Sequence, residues 1–155
     1  MERINKKMIL LISDFDGVMT DNTVYVDENG IETVRVSRAD GQGVNILRSK
    51  GIEVIIVSTE KNAVVTQRAN KLGIECIQSA NNKKKIVQDI CERKKVSLEN
   101  VAYVGNDIND YEAMCIAGIK IVPQDAYEEV KEIADYITNA KGGYGVIREI
   151  AGMII

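Results

Sequence analysis

The sequence has no histidine and no tryptophan, and only one proline, one phenylalanine and three cysteines in 155 residues. Without histidine there is no Ser-His-Asp or Cys-His catalysis, no phosphohistidine and no His-ligated zinc or haem, so acid–base work falls to carboxylates. Cys76, Cys91 and Cys115 are odd in number and lack C-x-x-C spacing, which suits neither a disulfide framework nor a zinc site. They read as buried free thiols in a reducing compartment. The only early apolar run, Met8 to Ile12, is too short for a signal segment and follows ordinary charges, so a cytoplasmic protein is expected. Lys and Arg number 20 against 23 Asp and Glu, a net charge of −3 with no general attraction for nucleic acid or an anionic membrane. The expected partner is a small molecule or another protein.

What is present is a globular composition, 45% hydrophobic and 28% charged, at a length that suits one domain over residues 1–155. Short runs rich in Val and Ile recur at Met8–Ser13, Ile52–Ser58, Ile74–Gln78, Val101–Val104 and Ile119–Val122. Near-continuous apolarity, as in Val54-Ile55-Ile56-Val57, is what a parallel strand covered on both faces requires. Between the runs lie helical stripes: Val65, Ala69 and Leu72 stop at Gly73, and Ile86, Val87, Ile90 and Cys91 form another. Asp40 reads as the N-cap of a helix over Gly41–Lys50, with Gly51 as its C′ residue. The alternation predicts a doubly wound parallel α/β sheet. One segment breaks it: Val24–Val26 and Thr33–Val36 flank Asn29-Gly30, a hairpin signal. A lone hairpin is marginal in water, and with the sheet already covered it is expected to pack on a partner subunit. Pro123 marks a turn and Gly142-Gly143-Tyr144-Gly145 a flexible loop.

In a doubly wound sheet, ligands bind beyond the carboxyl ends of the strands. Those ends carry Asp14-Phe15-Asp16-Gly17, Ser58-Thr59-Glu60 and Gly105-Asn106-Asp107-Ile108-Asn109-Asp110, while Asn81-Asn82-Lys83 opens the helix after the third run. Carboxylates gathered at one edge repel one another unless a hard cation neutralises them, and an oxygen-only donor set favours Mg²⁺. With a lysine and a hydroxyl beside the ion the site suits phosphoryl oxygens, and a carboxylate nucleophile makes the chemistry phosphoryl transfer through an aspartyl-phosphate.

Asp14-Phe-Asp16-Gly-Val-Met-Thr20, Ser58, Lys83 and Gly105-Asn-Asp-Ile-Asn-Asp110 resemble, in order, the four motifs of the haloacid dehalogenase-like phosphatases, over nearly the whole chain. The resemblance implies Asp14 as nucleophile and Asp16 as general acid, then base. It implies a phosphoryl hydrogen bond from Ser58 and charge neutralisation by Lys83. It also implies a Mg²⁺ shell drawn from Asp14, the Asp16 backbone carbonyl, Asn106, Asp107 and Asp110. Asn106 departs from the family pattern, which usually has aspartate directly after the motif glycine. That leaves the third protein ligand open between Asn106 and Asp107. Thr59 replaces a frequent glycine.

The interval from Asp14 to Ser58 is filled by the hairpin and one helix, and that from Ser58 to Lys83 by a single further step, so neither holds a cap domain. Asp40-Gly41-Gln42-Gly43, the hairpin and Gly142-Gly143-Tyr144-Gly145-Val-Ile-Arg148-Glu149 resemble the capless tetrameric branch. That branch includes phosphatases of 3-deoxy-octulosonate 8-phosphate and of nine-carbon sialic-acid-like 9-phosphates. Ser58-Thr59-Glu60-Lys-Asn62 with Arg68 and Lys71 resembles the nine-carbon side and the phosphatase-like domain behind some acylneuraminate cytidylyltransferases. Octulosonate enzymes usually carry arginine where Glu60 stands. A homotetramer acting on a phosphorylated sugar acid is implied, with a nine-carbon sialic-acid-like 9-phosphate as the expected substrate and 3-deoxy-octulosonate 8-phosphate as the alternative.

The substrate's carboxylate, far from its phosphate, needs a second cationic locus. Arg68 and Arg148 are candidates, Arg148 by reaching a neighbour's site, while Glu60, Lys71 and Thr59 complete the expected substrate-binding set. Two rivals stand beside this reading. A receiver domain would place its aspartate after the third strand, where the chain reads Ile77-Gln78-Ser79. An inactive tetramerisation module is kept in play by Asn106.

Overall fold

The structure, a computed structural model, describes residues 3–154. In chain order its elements begin with β1 (Leu10–Ser13), the short strands β2 (Tyr25–Val26) and β3 (Glu32–Thr33), and α1 (Arg38–Ser49). They continue with β4 (Glu53–Val57), α2 (Val64–Leu72), β5 (Glu75–Ile77), α3 (Lys83–Lys94), β6 (Val101–Val104) and α4 (Tyr111–Ile116). The last are β7 (Ile119–Val122), α5 (Glu128–Lys131), β8 (Tyr136–Ile137) and α6 (Val146–Met153).

Six strands pair in parallel in the order β5-β4-β1-β6-β7-β8. From β1 the chain steps outward through β4 to β5, then returns to the other side of β1 and proceeds through β6 and β7 to β8. The direction of winding reverses between β1 and β6, and the crevice beyond their carboxyl ends is the topological switch point where such sheets bind ligands. The hairpin forms its own two-stranded sheet from β2 and β3. No cap interrupts the units between β1 and α3. Among the described residues no helix is long and apolar enough to cross a membrane.

The apolar runs are continuous because each strand feeds two cores. Leu11, Val54, Ile56, Ala102, Val104, Ile119 and Ile121 pack under α1, α2 and α6. Their neighbours Leu10, Ile12, Ile55, Val57, Val101, Tyr103 and Val122 pack under α3, α4 and α5. Successive side chains of a strand point to opposite faces, so a strand buried on both sides has nowhere to put a polar residue.

Three strands are shorter than their apolar runs suggest, because Met8, Ile9, Ile52, Ile74 and Gln78 lie outside the ladders. The edge strand β8 is absent from the sequence reading: two residues generate no periodicity. The expected Asp40 cap is also corrected. Ser37 is the N-cap of α1, its hydroxyl accepting from the Ala39 N–H, and Gly51 follows the helix with φ of 75°. Asp40 sits inside the first turn, 1% exposed, and its Oδ1 accepts from the Ile147 and Arg148 N–H groups at 3.0 and 3.3 Å. Those are orphan donors at the start of α6, whose own N-cap, Gly145, has no side chain. Asp40 is thus a cap, but of another helix.

Burial pushes Asp40 up to about 6, against the pull of the Arg148 and Ile147 N–H groups and the Arg68 charge. The folded state therefore holds this proton more tightly than the unfolded chain. The associated stability is present in full below about pH 4 and is lost as pH rises through about 6. The difference from an ordinary carboxylate corresponds to about 3 kcal/mol. Asp40→Asn keeps a carbonyl acceptor for α6 and abolishes the titration. Urea midpoints measured from pH 4 to pH 7.5 should show the wild type losing stability relative to the variant across this window; parallel curves would exclude the assignment.

Candidate active site

The chain leaves β1 through Asp14, and two groups hold the Asp14 carboxylate. Its Oδ1 accepts from the Phe15 N–H at 2.8 Å and lies 2.9 Å from Lys83 Nζ. Lys83 is the first residue of α3, set by its N-cap Asn82, whose side chain accepts from the Lys85 N–H at 3.0 Å. The same ammonium donates to Asp110 Oδ1 at 2.7 Å. Asp14, Lys83 and Asp110 are 5%, 3% and 0% exposed, so β1, α3 and the loop after β6 are joined by one buried triad of charges.

Two carboxylates share one ammonium, and one negative charge is left over. Burial first and the Asp110 charge next push Asp14 up to about 8, opposed by Lys83 and the Phe15 N–H. Burial would pull Lys83 down, but Asp14 and Asp110 outweigh it and hold it above its ordinary value. The ammonium stays charged, and the surplus anion is the one facing the cavity. Keeping Asp14 ionised there takes a further cation.

Asp110 has no oxygen to offer such a cation, which corrects its expected place in the metal shell. Oδ1 is taken by Lys83 and by the Tyr103 hydroxyl at 2.8 Å, and Oδ2 by the Asn106 N–H at 2.9 Å and the Asp107 N–H at 3.4 Å. Asp110 therefore shapes the 106–110 loop from behind. Gly105 makes room for it: a Cβ there would lie 2.5 Å from the Asp110 side chain. Tyr103 donates its buried hydroxyl because burial and the adjacent acids hold that proton firmly.

Among the described residues no three carboxylate or thiol side chains gather in a way that would hold a metal by themselves. Other oxygens have to contribute. One terminal atom of the Asn106 amide lies 3.0 Å from the Asp16 carbonyl oxygen and 3.2 Å from Asp14 Oδ2. As nitrogen it donates to both. As oxygen it becomes the third of three converging oxygens, an arrangement that only a cation among them stabilises. Hard oxygen donors and a surplus negative charge fit Mg²⁺. Between the alternatives left open by the sequence, the amide of Asn106 meets Asp14 and Asp16. Asp107 commits Oδ1 to the Ile108 N–H at 2.6 Å and lines the cavity beside them.

Asp16 is anchored by Thr20, whose hydroxyl donates to Asp16 Oδ1 at 3.0 Å while accepting from the Gly17 and Asn22 N–H groups. Burial pushes the Asp16 carboxyl up; Thr20 opposes, and Glu60 and Glu32 reinforce the rise. Ser58, 2% exposed at the end of β4, accepts from the Glu60 N–H, leaving its own proton to donate. The resulting cavity, of about 310 Å³, is lined by Asp14, Asp16, Ser58, Thr59, Glu60, Asn106 and Asp107. It is completed by Asn22, Val24, Glu32 and Asn109, which the sequence reading did not single out. The signal for the hairpin members was available: the hairpin leaves the Asp14–Asp16 turn, and a chain departing from a strand tip passes its ligand crevice first.

Arg68, Lys71 and Arg148 are not brought to this cavity. Arg68 donates to the Ser37 carbonyl at 2.9 Å and, with Arg38 and Lys71, lines a separate groove of about 260 Å³ beside α1. Arg148 is exposed at the start of α6. Helix α2 runs away from the strand tip at 1.5 Å per residue, so short sequence distance from Glu60 does not place its later turns at the site.

Comparison with known proteins identifies the family. The sequence model of the haloacid dehalogenase-like hydrolases matches residues 58–150, and the chain belongs to this family. The 3-deoxy-D-manno-octulosonate 8-phosphate phosphatase KdsC of Salmonella typhi is 35% identical over 147 residues, 94% of this chain and 78% of that protein. A HAD family hydrolase from Streptomyces avermitilis superposes with a TM-score of 0.93 at 38% identity, over 96% of this chain and 85% of that one. The Moraxella catarrhalis 3-deoxy-D-manno-octulosonate 8-phosphate phosphatase, solved with magnesium ion, phosphate ion and KDO, superposes with a TM-score of 0.90 at 31% identity, covering 94% and 84%. Within the family the chain is a phosphatase that hydrolyses phosphate monoesters.

Two outcomes follow from the triad. Asp14→Asn removes the surplus charge at constant volume, so the protein should melt no lower than wild type while phosphate release disappears; wild-type-like turnover would exclude Asp14 as nucleophile. Lys83→Met leaves the buried acids without their cation and should cost about 3–5 kcal/mol in urea unfolding at pH 7; an unchanged urea midpoint would exclude the triad as a structural tie.

Proposed function

We propose that the chain is a Mg²⁺-dependent phosphatase of 2-keto-3-deoxy sugar acids, with 3-deoxy-D-manno-octulosonate 8-phosphate as its substrate. One joint observation carries the reading. A buried, lysine-paired carboxylate meets a hydroxyl and a set of oxygen donors at one strand-end cavity, in a chain 35% identical over 94% of its length to a phosphatase of that acid.

Asp14 attacks phosphorus and the sugar alcohol leaves, taking the proton that Asp16 holds in its half-buried site. An aspartyl-phosphate remains on Asp14. Asp16, now a base, takes a proton from water as that water attacks the acyl phosphate, and phosphate departs with Asp14 regenerated. Ser58 donates to one phosphoryl oxygen, and Lys83 balances charge on Asp14 and the phosphoryl group throughout. When bound, Mg²⁺ supplies the positive charge that the phosphate and the surplus carboxylate lack; Asp14, the Asp16 carbonyl and the Asn106 oxygen would hold it, with Asp107 alongside.

A nine-carbon acid 9-phosphate is the second reading, favoured by Glu60 in the cavity wall where the octulosonate enzymes usually carry arginine. The walls are themselves acidic, with Glu32, Glu60 and Asp107, and the site's own lysine is buried. Cations for the substrate carboxylate are therefore assigned to a neighbouring copy, from Arg68, Lys71 or Arg148. Exposed Val24, Tyr25, Val26 and Ile31 on the hairpin support assembly into a homotetramer, each copy a single catalytic domain.

Phosphate release from eight- and nine-carbon acid phosphates tests the reading. The eight-carbon ester should be preferred by about tenfold in kcat/KM, with activity abolished by EDTA and restored by Mg²⁺. The reverse preference transfers the substrate to the nine-carbon acid. A tetramer by light scattering that hydrolyses no phosphate ester would instead identify an assembly module.

A further inference from the structure

Asn22, Val24 and Glu32 wall the cavity, yet strands β2 and β3 pair only with each other and not with the main sheet. Two-residue strands are marginal in isolation, so within one copy the position of this wall depends on how its base is tied down. The antiparallel bridge between Thr20 and Val36 ties it, and Val34 and Val36 pack against the core. Between those two valines, Arg35 adds a polar tie. Its Nη2 lies 3.4 Å from Asp21 Oδ2, and its guanidinium carbon sits 4.5 Å above the centre of the Tyr144 ring.

Tyr144 stands on firm ground. The loop that carries it packs backbone to backbone on the turn after β1, where the Gly143 N–H donates to the Val18 carbonyl at 2.9 Å, and it is held from the loop after β7 by the Asp125 side chain, whose Oδ1 accepts from the Gly142 N–H at 2.8 Å. Contact is so close that a Cβ at Gly142 would lie 2.2 Å from the Gly17 carbonyl oxygen. The ring itself is 62% exposed, so core packing does not account for its placement. The arrangement is a fixed platform offering an aromatic face to the one arginine at the foot of the hairpin, beside the turn that carries Asp14 and Asp16.

We infer that Arg35 and Tyr144 form a latch that holds the hairpin wall over the phosphate site, making both of them positioning residues for the organic part of the substrate. The inference rests on the reading that this wall meets the sugar acid. It assigns neither residue a part in the chemistry, which proceeds on Asp14 and Asp16 beneath the wall. Exposed cation–π contacts and ion pairs each shift a population by a few-fold, so the latch biases the wall and does not lock it.

The test uses the full chain with Tyr144→Ala, Tyr144→Phe and Arg35→Ala. Amide exchange of residues 24–33 is measured alongside kinetics on a sugar acid phosphate and on a small aryl phosphate. Tyr144→Ala and Arg35→Ala should each speed hairpin exchange and raise KM for the sugar acid phosphate by about three- to tenfold. Their kcat, and both constants for the aryl phosphate, should stay within about twofold of wild type, and Tyr144→Phe, which keeps the ring, should behave as wild type. Unchanged exchange in both alanine variants overturns the latch, as does a Tyr144→Phe as impaired as Tyr144→Ala. Equal losses on the two phosphates overturn it too, because the loop would then be supporting the catalytic turn itself. Should the wild type reject every sugar acid phosphate, the substrate reading fails alone and hairpin exchange still decides the latch.

Discussion

A single ammonium group buried between two buried carboxylates organises this molecule. Lys83 reaches from the start of α3 to Asp14 at the tip of β1 and to Asp110 in the loop after β6, at 2.9 and 2.7 Å. Removing ions from water is expensive, and in the interior the expense is recovered only when every partner is present in good geometry. The three segments are therefore interdependent. The arithmetic of the triad is also chemical: one positive and two negative charges leave an excess on Asp14, the group exposed to the cavity. The same imbalance is what a divalent ion would neutralise, and through the ion the site would attract a phosphate.

Around the triad, neighbouring groups are held by hydrogen bonds to buried side chains. Thr20 fixes Asp16, Asp110 fixes the 106–110 loop, and Tyr103 fixes Asp110 from the opposite core. These supports sit on strand tips at the winding reversal of the sheet, where backbone positions are set by ladders on both sides. The outer wall is different in kind. It is a short hairpin with exposed apolar side chains, anchored by a bridge and a solvent-facing arginine. In the proposed reading, the rigid half of the site would handle the phosphate, and the weakly held half would face the organic part of the substrate.

Much of this was legible in the residues because it depends on local chemistry. Apolar runs of Val and Ile marked the strands, since a residue buried on either face has to be apolar; acidic and hydroxyl residues directly after those runs marked the site, since strand tips are where a doubly wound sheet binds ligands. Asp40 shows the limit of that reasoning. A carboxylate ahead of a helical stripe suggested a cap, and the residue does cap a helix, but it is α6, which lies more than a hundred positions further along the chain. Asp110 fails in a related way: an acid in a metal-binding motif looks like a ligand until all its oxygens are seen to be engaged. Arg68 and Lys71 looked close to Glu60, and a helix running away from the site carried them off.

The sequence by itself determined the α/β alternation, the absence of a cap, the oxygen-only chemistry and the set of strand-end residues able to perform it. Tertiary structure alone decided which acid is left with the surplus charge, which amide meets Asp14 and Asp16, which arginines stay away from the cavity and which hairpin residues wall it. The reason is that residue type specifies what a group can do, whereas desolvation and pairing depend on which distant groups share its few ångströms of space, and only the packed chain brings those together.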